Sequence, residues 1–221
     1  DTEVPIAGAL RLLRRLWLDW RGIAADTSIA FAGSTCGIGG QAIAALAKGA
    51  SPEIYARFTS CMSQAKAQAT AESKSYGVPA ILWMQGEANQ TTDAATYKAA
   101  MLQLVNDMLA DTIATTGQAR PPGFFTYQTA TNPNFDTRQG GPAQAQLELA
   151  LADPRITMIG PIYQVPDSAD LHLVANPYRW VGGYFAKAMH RVINQGQRFL
   201  PLHMRRARRR SVQILVDFHV P

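Results

Sequence analysis

The 221-residue chain has no unbroken run of about 18 apolar residues, so the sequence predicts no membrane-spanning helix. Charged residues make up only 17% of the chain and apolar residues 47%, a balance that excludes an intrinsically disordered protein. The apolar stretch over residues 4–20 is interrupted by three arginines and has no small-residue cleavage site, so it does not fit a signal peptide. No internal repeat or low-complexity segment is visible.

Cysteine is scarce, since Cys36 and Cys61 are the only two. Their spacing matches no zinc motif, and no histidine lies near either of them in the sequence, so we expect no metal site. They form a disulfide only if the fold brings their Cα atoms within about 7 Å. Their pairing therefore stays open, and with it the compartment of the protein.

Acidic residues are outnumbered, with 16 Asp and Glu against 21 Lys and Arg. Much of the excess lies in two arginine groups, namely Arg11, Arg14 and Arg15 in a predicted helix, and Arg205, Arg206, Arg208, Arg209 and Arg210 in a predicted helix-to-strand connection. A nucleic-acid-binding surface usually spreads basic and aromatic residues over one face, and neither group does so. We interpret both groups as solvated charge and expect no nucleic-acid partner.

Apolar periodicity predicts strands that alternate with helices. The expected strands cover residues 26–33, 78–84, 123–128 and 156–159. The expected helices cover residues 5–20, 52–76, 92–115, 141–152 and 175–195, and a further short helix ends near residue 47. This alternation is typical of an α/β fold with a mostly parallel sheet. Residues 211–218 then alternate in a new way, which we interpret as the first strand of an appended β domain.

A glycine-rich segment, Gly37-Ile-Gly-Gly-Gln-Ala-Ile43, follows the first expected strand. Ligands of open parallel sheets bind beyond the carboxyl ends of the strands, and glycines there let the backbone approach a ligand closely. The start of the following helix adds free N–H groups. A plain tight turn is the alternative. A dinucleotide site is disfavoured, because the acidic residue expected about 20 residues further on is missing.

Two further segments place polar groups at strand ends. Trp83-Met-Gln-Gly-Glu87 puts an amide and a carboxylate after a buried strand, where they need partners, and the amide of Gln85 is able to donate to a developing oxyanion. Asp170 lies two residues before His172, a spacing that lets a carboxylate orient an imidazole and stabilise its cation. A polar turn and a structural Asp-x-His pattern are the respective alternatives.

The order of these segments resembles the sialate O-acetylesterase and acetylxylan esterase group of the Ser-Gly-Asn-His (SGNH) hydrolases. The similarity covers about residues 28–195 and rests on Gly39-Gly40-Gln-Ala-Ile43, Lys48-Gly49, Trp83 to Glu87, and Asp170, His172 and Gly182. It implies a flavodoxin-like three-layer α/β/α sandwich and a serine-type hydrolysis of acetyl esters on sugars through an acyl-enzyme. No metal or cofactor is implied, and the implied partner is an acetylated carbohydrate.

The resemblance also implies roles for individual residues. His172 is expected to be the general base and Asp170 its orienting acid. The expected oxyanion donors are Gln85 and one of Gly39 or Gly40. Glu87 is expected either to stabilise the site or to help orient the histidine. Residues 1–198 are then the catalytic domain and residues 199–221 a linker with the first strand of the appended domain. A secreted, periplasmic or phage-associated location is favoured over the cytoplasm.

The nucleophile of this family lies in a Gly-Asp-Ser or Gly-Gln-Ser element at the end of the first strand, and no such element precedes Val4. We therefore expect the nucleophile and the first, internal strand to lie upstream of this chain, which alone would be inactive. Ser34 is a less favoured alternative nucleophile. The alternative function is a non-catalytic glycan-binding module, for example of a phage tail or a cell-surface protein.

Overall fold

The computed structural model describes residues 5–130, 140–166 and 172–221. Helices and strands alternate along these residues, which confirms the predicted α/β class. The helices are α1 (Pro5–Arg21), α2 (Ala56–Ala71), α3 (Ala94–Thr116), α4 (Gly141–Ala152) and α5 (Ala175–Met189). The strands are β1 (Ala80–Trp83), β2 (Gly123–Gln128), β3 (Ile156–Pro161), β4 (His203–Arg210) and β5 (Gln213–His219). Short 3₁₀ turns cover Ile43–Leu46 and Glu87–Asn89, and a π turn covers His190–Asn194.

The central sheet is parallel, with the strand order β1-β2-β3. Ala80 pairs with Gly123 at the start of β1, and Phe124 pairs with Ile156 at the start of β3. All three strands are rich in apolar residues on both faces, as a parallel sheet covered on both sides requires.

Helices cover both faces of the sheet and make a three-layer arrangement. On one face Ile81, Trp83 and Phe124 pack with buried side chains of α2, α3 and α4. On the other face Phe125 and Tyr127 pack with buried side chains of α1 and α5. Alternate residues of each strand therefore serve different layers, and two hydrophobic cores result.

Local signals set the ends of the helices. The Asp93 side chain accepts a hydrogen bond from the Thr96 N–H (2.9 Å) and begins α3, and Gly117 ends it with a left-handed φ of 76°. The helix expected from residue 52 begins instead at Ala56. The reason is that the Ile54 N–H donates to the Pro52 carbonyl (2.8 Å), a turn that is incompatible with an α-helix.

The strand predicted over residues 26–33 is absent, and residues 29–38 belong to neither a helix nor a strand. No backbone group of residues 29–38 is hydrogen-bonded to another backbone group of the described chain. Phe31 packs with the α1–α5 core, whereas Cys36 packs with the α2–α4 core. The segment therefore carries the apolar pattern of a strand without a partner to pair with, and that missing partner explains the wrong prediction.

The arginine group at residues 205–210 was predicted to be a connection, and this prediction is wrong. It lies in β4, which pairs antiparallel with β5 from His203↔His219 to Arg210↔Gln213. Ser211 closes the hairpin with a left-handed φ of 54°. A tight turn is enough to pair the two segments, although five arginines are unusual in a strand. The appended β domain itself stays a prediction.

Helices α1 and α5 approach so closely that their backbones touch. A Cβ atom on Gly182 would lie 2.3 Å from the Pro5 carbonyl oxygen and 2.9 Å from the Ala9 nitrogen. A Cβ atom on Gly8 would lie 2.8 Å from the Arg179 carbonyl oxygen. Glycine is therefore required on both sides of this crossing, since backbone atoms are unable to move aside as a flexible side chain would.

Gly182→Ala should lower the free energy of unfolding by about 1–3 kcal/mol, because the added methyl group overlaps the backbone of α1. Gly183→Ala is the matched control, since its Cβ would lie 3.6 Å from Leu12, an ordinary contact. That control should be neutral or stabilising by up to about 1 kcal/mol. Urea denaturation measures both, and equal midpoints for the two variants would contradict the backbone contact.

Candidate active site

The carboxyl ends of the three parallel strands meet at one edge of the sheet, called here the carboxyl rim. Gln85 lies two residues beyond β1, and Thr129 lies one residue beyond β2. Ile162 follows β3, and its N–H donates to the Gln128 carbonyl (3.2 Å), which ties the ends of β2 and β3 together. Polar groups at the ends of β1 and β2 are thus neighbours in space although they are distant in sequence.

Gln85 is buried at this rim, with 7% of its surface exposed, and its side-chain amide is fully hydrogen-bonded. Its Nε2 donates to the Gln41 carbonyl (3.1 Å) and to Oδ1 of Asn89 (2.6 Å). Its Oε1 accepts from the Tyr97 hydroxyl (2.7 Å). Both hydrogens of the amide are therefore engaged, and donation to a ligand requires one of these two bonds to open.

Asn89 connects the same network to the glycine-rich segment. Its Oδ1 also accepts from the Ile43 N–H (2.8 Å), and its Nδ2 donates to the Thr92 hydroxyl (3.1 Å). The Ile43 N–H is able only to donate, so the Asn89 atom that it contacts must be the amide oxygen. Gln85, which contacts the same oxygen, is therefore the donor in the Gln85–Asn89 bond. Two amides from the end of β1 thus hold residues 41–43 at the carboxyl rim.

Tyr97 and Gln146 support the network from the helices behind it. The Tyr97 hydroxyl also lies 3.0 Å from the Gln85 carbonyl oxygen, so its single hydrogen is shared between that oxygen and the Gln85 Oε1. Burial raises the pKa of Tyr97, so the hydroxyl remains a neutral donor. Gln146 donates from Nε2 to the same carbonyl (2.8 Å) and accepts from the Thr129 N–H (2.8 Å). The loops after β1 and β2 are therefore joined through one buried amide.

Glu87 is half-buried and lies beside the end of β2. Its two carboxylate oxygens lie 2.5 and 2.6 Å from the Tyr127 hydroxyl, and one also accepts from the Thr129 hydroxyl (2.7 Å). Burial and the neighbouring Glu87 charge raise the pKa of Tyr127. A Cβ atom on Gly86 would lie 2.9 Å from Thr129, so only glycine allows this close approach. The carboxylate thus has a fixed position with free lone pairs remaining.

His172 is exposed and lies three residues before the first residue of α5. In a β–α unit the helix runs back along the strand that precedes it, so the amino end of α5 lies at the same edge as the carboxyl end of β3. This topology predicts that His172 lies at the carboxyl rim with Gln85 and Glu87. Asp170 lies outside the described residues.

Gly39 and Gly40 form an exposed turn just before Gln41. Gly40 has a left-handed φ of 71°, and a Cβ atom on either glycine would meet nothing within 4 Å. The backbone here faces open space while the next residues are held by Gln85 and Asn89. This arrangement suits the approach of a ligand to backbone N–H groups.

Ser34, the alternative nucleophile, lies in the unpaired segment over residues 29–38 rather than at the end of a strand. Its Oγ accepts a hydrogen bond from the Cys61 Sγ (2.8 Å), and no histidine of the described chain is hydrogen-bonded to it. Cys36 and Cys61 are both free, and burial raises the pKa of the Cys36 thiol.

The sequence pointed to Gln85 and Glu87 but missed the residues that hold them, namely Asn89, Tyr97, Tyr127, Thr129 and Gln146. Gln146 carried a usable signal, because it is fully buried on a helix face with Ala145 and Leu149. A buried amide on an apolar stripe needs partners. Tyr97 carried none, since a tyrosine on a buried helix face is ordinary.

The family model described as carbohydrate esterase, sialic acid-specific acetylesterase matches residues 29–191, which is well over half of the chain. The chain belongs to this family. The matched range includes the three segments singled out in the sequence, and the family is one of carbohydrate esterases.

A solved structure is similar in fold. It is an X-ray structure at 1.6 Å of a protein from Arabidopsis thaliana, with a TM-score of 0.52 and 21% sequence identity, and the match covers 69% of this esterase-family chain. At this identity the likeness shows the α/β fold alone. The match spans 58% of the length of the Arabidopsis protein. No curated protein matches the chain.

Two features are absent from residues 5–130, 140–166 and 172–221. These residues contain no group of three or more His, Cys, Asp or Glu side chains placed to hold a metal ion. They also contain no helix of the length and apolarity that crossing a bilayer requires.

Tyr97→Phe should destabilise the protein by about 1–3 kcal/mol, because it leaves the buried Gln85 Oε1 without a donor. Tyr184→Phe is the control, since its hydroxyl has no hydrogen bond to any described residue, and its change should stay within about 0.5 kcal/mol. Thermal and urea unfolding measure both. Equal losses in the two variants would contradict the role of Tyr97 in holding Gln85.

Proposed function

We propose that this esterase-family protein hydrolyses acetyl esters carried by a sugar, through a serine acyl-enzyme. The family match over residues 29–191 carries the proposal, since the family is one of carbohydrate esterases named for sialic acid-specific acetylesterase activity. The hydrogen-bonded rim at Gln85 supports it, because acyl transfer needs a rigid group of donors near an exposed histidine.

In this proposal His172 removes the proton from the serine hydroxyl as the oxygen attacks the acetyl carbonyl. The tetrahedral intermediate collapses when His172 returns the proton to the sugar oxygen, which leaves as an alcohol. Water then attacks the acetyl-enzyme with the same base, and acetate is released. Asp170 orients the imidazole and stabilises its positive charge.

The proposed oxyanion donors are the backbone N–H of Gly39 or Gly40 and the Gln85 amide. The open space before the two glycines favours the backbone donors. Gln85 contributes in two ways: it holds residues 41–43 beside the rim through the Gln41 carbonyl, and it donates to the oxyanion when that bond opens. Preorganised donors of this kind typically contribute about 3–4 kcal/mol each to catalysis.

We propose that the attacking serine enters on a strand from outside residues 1–221. In the flavodoxin-like strand order 2-1-3-4-5, the first strand lies between the second and the third. In this proposal β1, β2 and β3 correspond to the third, fourth and fifth strands of that order. Residues 29–38 correspond to the second strand. The support is that residues 29–38 carry the apolar pattern of a strand but have no backbone partner, and that the edge of β1 is available for pairing.

A non-catalytic glycan-binding module is the second candidate. The observation behind it concerns Ser34, whose hydroxyl is bound to a cysteine rather than to a histidine, as both a glycan-binding module and an upstream nucleophile require. Such a module would retain the rim as a sugar-binding edge and would have no esterase activity even with its upstream sequence.

The 221-residue chain should show no hydrolysis of 4-nitrophenyl acetate or of O-acetylated sialic acid above background. A form extended upstream to include a Gly-x-Ser element should be active, and His172→Ala in that form should lower kcat/KM by about 10³–10⁴-fold. His190→Ala is the control, because among the described residues its ring is hydrogen-bonded to Asn194 and Gln195 and packs on Trp20.

Activity of the 221-residue chain that is lost in Ser34→Ala would overturn the upstream nucleophile. An extended form that binds the sugar without cleaving it would favour the glycan-binding module instead.

Asp170→Asn in the extended form should lower kcat by about 10⁴-fold, because the imidazole would lose its orienting charge. Glu87→Gln should have a smaller effect on kcat and should lower the free energy of unfolding, since Tyr127 and Thr129 lose a charged acceptor. Steady-state kinetics and urea denaturation separate the two. A larger loss of kcat in Glu87→Gln would make Glu87, not Asp170, the orienting carboxylate.

A further inference from the structure

The hairpin formed by β4 and β5, called here the arginine ribbon (residues 203–219), stands away from both hydrophobic cores. Every residue from 204 to 218 is exposed, and Ile214 retains 72% of its accessible surface. An isolated two-stranded hairpin is at best marginally stable in water. Both faces of the ribbon are therefore exposed, and the side chains on each face indicate the kind of partner that would bind there.

The register separates the two faces. Arg206, Arg208 and Arg210 point to one side, because alternate residues of a strand share a face and follow each other at about 6.8 Å. Their cross-strand partners on this face are Asp217, Leu215 and Gln213. The opposite face carries Ala207 and Arg209 with Val216 and Ile214. One face is thus a row of three guanidinium groups.

These positive charges are poorly compensated. Asp217 is the one acidic residue of the ribbon, and it lies 3.5 Å from Arg208 with both side chains about half exposed, a pair worth little. Arg205 contacts a ring nitrogen of His219 (2.9 Å), and Arg209 donates to the Ser211 carbonyl (3.1 Å). Within the described chain no ion pair reaches Arg206 or Arg210. The arginine face therefore repels itself and attracts an anionic chain.

We propose that the arginine face binds a polyanionic carbohydrate whose sugars carry carboxylates. Guanidinium groups pair with carboxylates through two parallel hydrogen bonds, and a row of three offers repeated pairing along an extended polymer. The choice of a glycan over a nucleic acid rests on the proposed function, because sialic acid is itself a carboxylate sugar. The ribbon then holds the polymer on the protein at a surface separate from both hydrophobic cores.

The test measures binding of the 221-residue protein to colominic acid, a polymer of sialic acid, by isothermal titration at several salt concentrations. Binding should weaken as salt rises, and neutral dextran should not bind. Replacement of Arg206, Arg208 and Arg210 by Gln should weaken binding at least about tenfold. The matched control replaces Arg11, Arg15 and Arg120 by Gln, which removes the same charge from exposed positions elsewhere and should change binding less than about threefold.

A second variant with lysine at positions 206, 208 and 210 keeps the charge and removes the bidentate geometry, so it should retain an intermediate affinity even if the glutamine variant unfolds the ribbon. Equal weakening by the ribbon and control variants would overturn the proposal. Tighter binding of random-sequence duplex DNA than of colominic acid at the same salt concentration would also overturn it, in favour of a nucleic-acid surface. Neither outcome bears on esterase activity, which is measured separately.

Discussion

The site depends on one buried amide. Gln85 uses both hydrogens and its oxygen at once, and through them it joins the end of β1 to the glycine-rich segment, to α3 and, by its backbone carbonyl, to α4. Each of these polar groups would cost about 1–3 kcal/mol if left unpaired. The hydrogen-bonding groups of Gln85 are therefore all paired only when these elements are in place. The geometry of the rim and the packing of the α2–α4 core consequently form together.

The sheet has two edge strands, β1 and β3, and each is bonded to β2 alone. β1 is apolar throughout. Its side chains are covered by helices on both faces, so the free edge lies between packed layers rather than on an open surface. The interior strand proposed beside β1 would pair with this free edge and with the unpaired backbone of residues 29–38.

The sequence was a reliable guide where a segment carries its own signals. β2 and α4 have their predicted bounds, and α3 lies between its cap at Asp93 and its glycine at 117. The prediction failed where strand formation depends on pairing with another segment. Residues 26–33 have no strand to pair with, whereas residues 205–210 pair with β5. For the site, a polar pair after an apolar strand marked Gln85 and Glu87. Their supporting residues come from distant helices, which no local pattern connects.

The crossing of α1 and α5 has a consequence for how the chain is made. The first described helix packs against the last, about 170 residues later in the sequence, through glycine contacts between the two backbones. At ribosomal rates of about 5–20 residues per second, α1 emerges on the order of 10–30 s before its partner. During that interval its apolar face is uncovered, so a chaperone that shields nascent amphipathic helices should matter more for this protein than for one whose neighbouring helices pack in order.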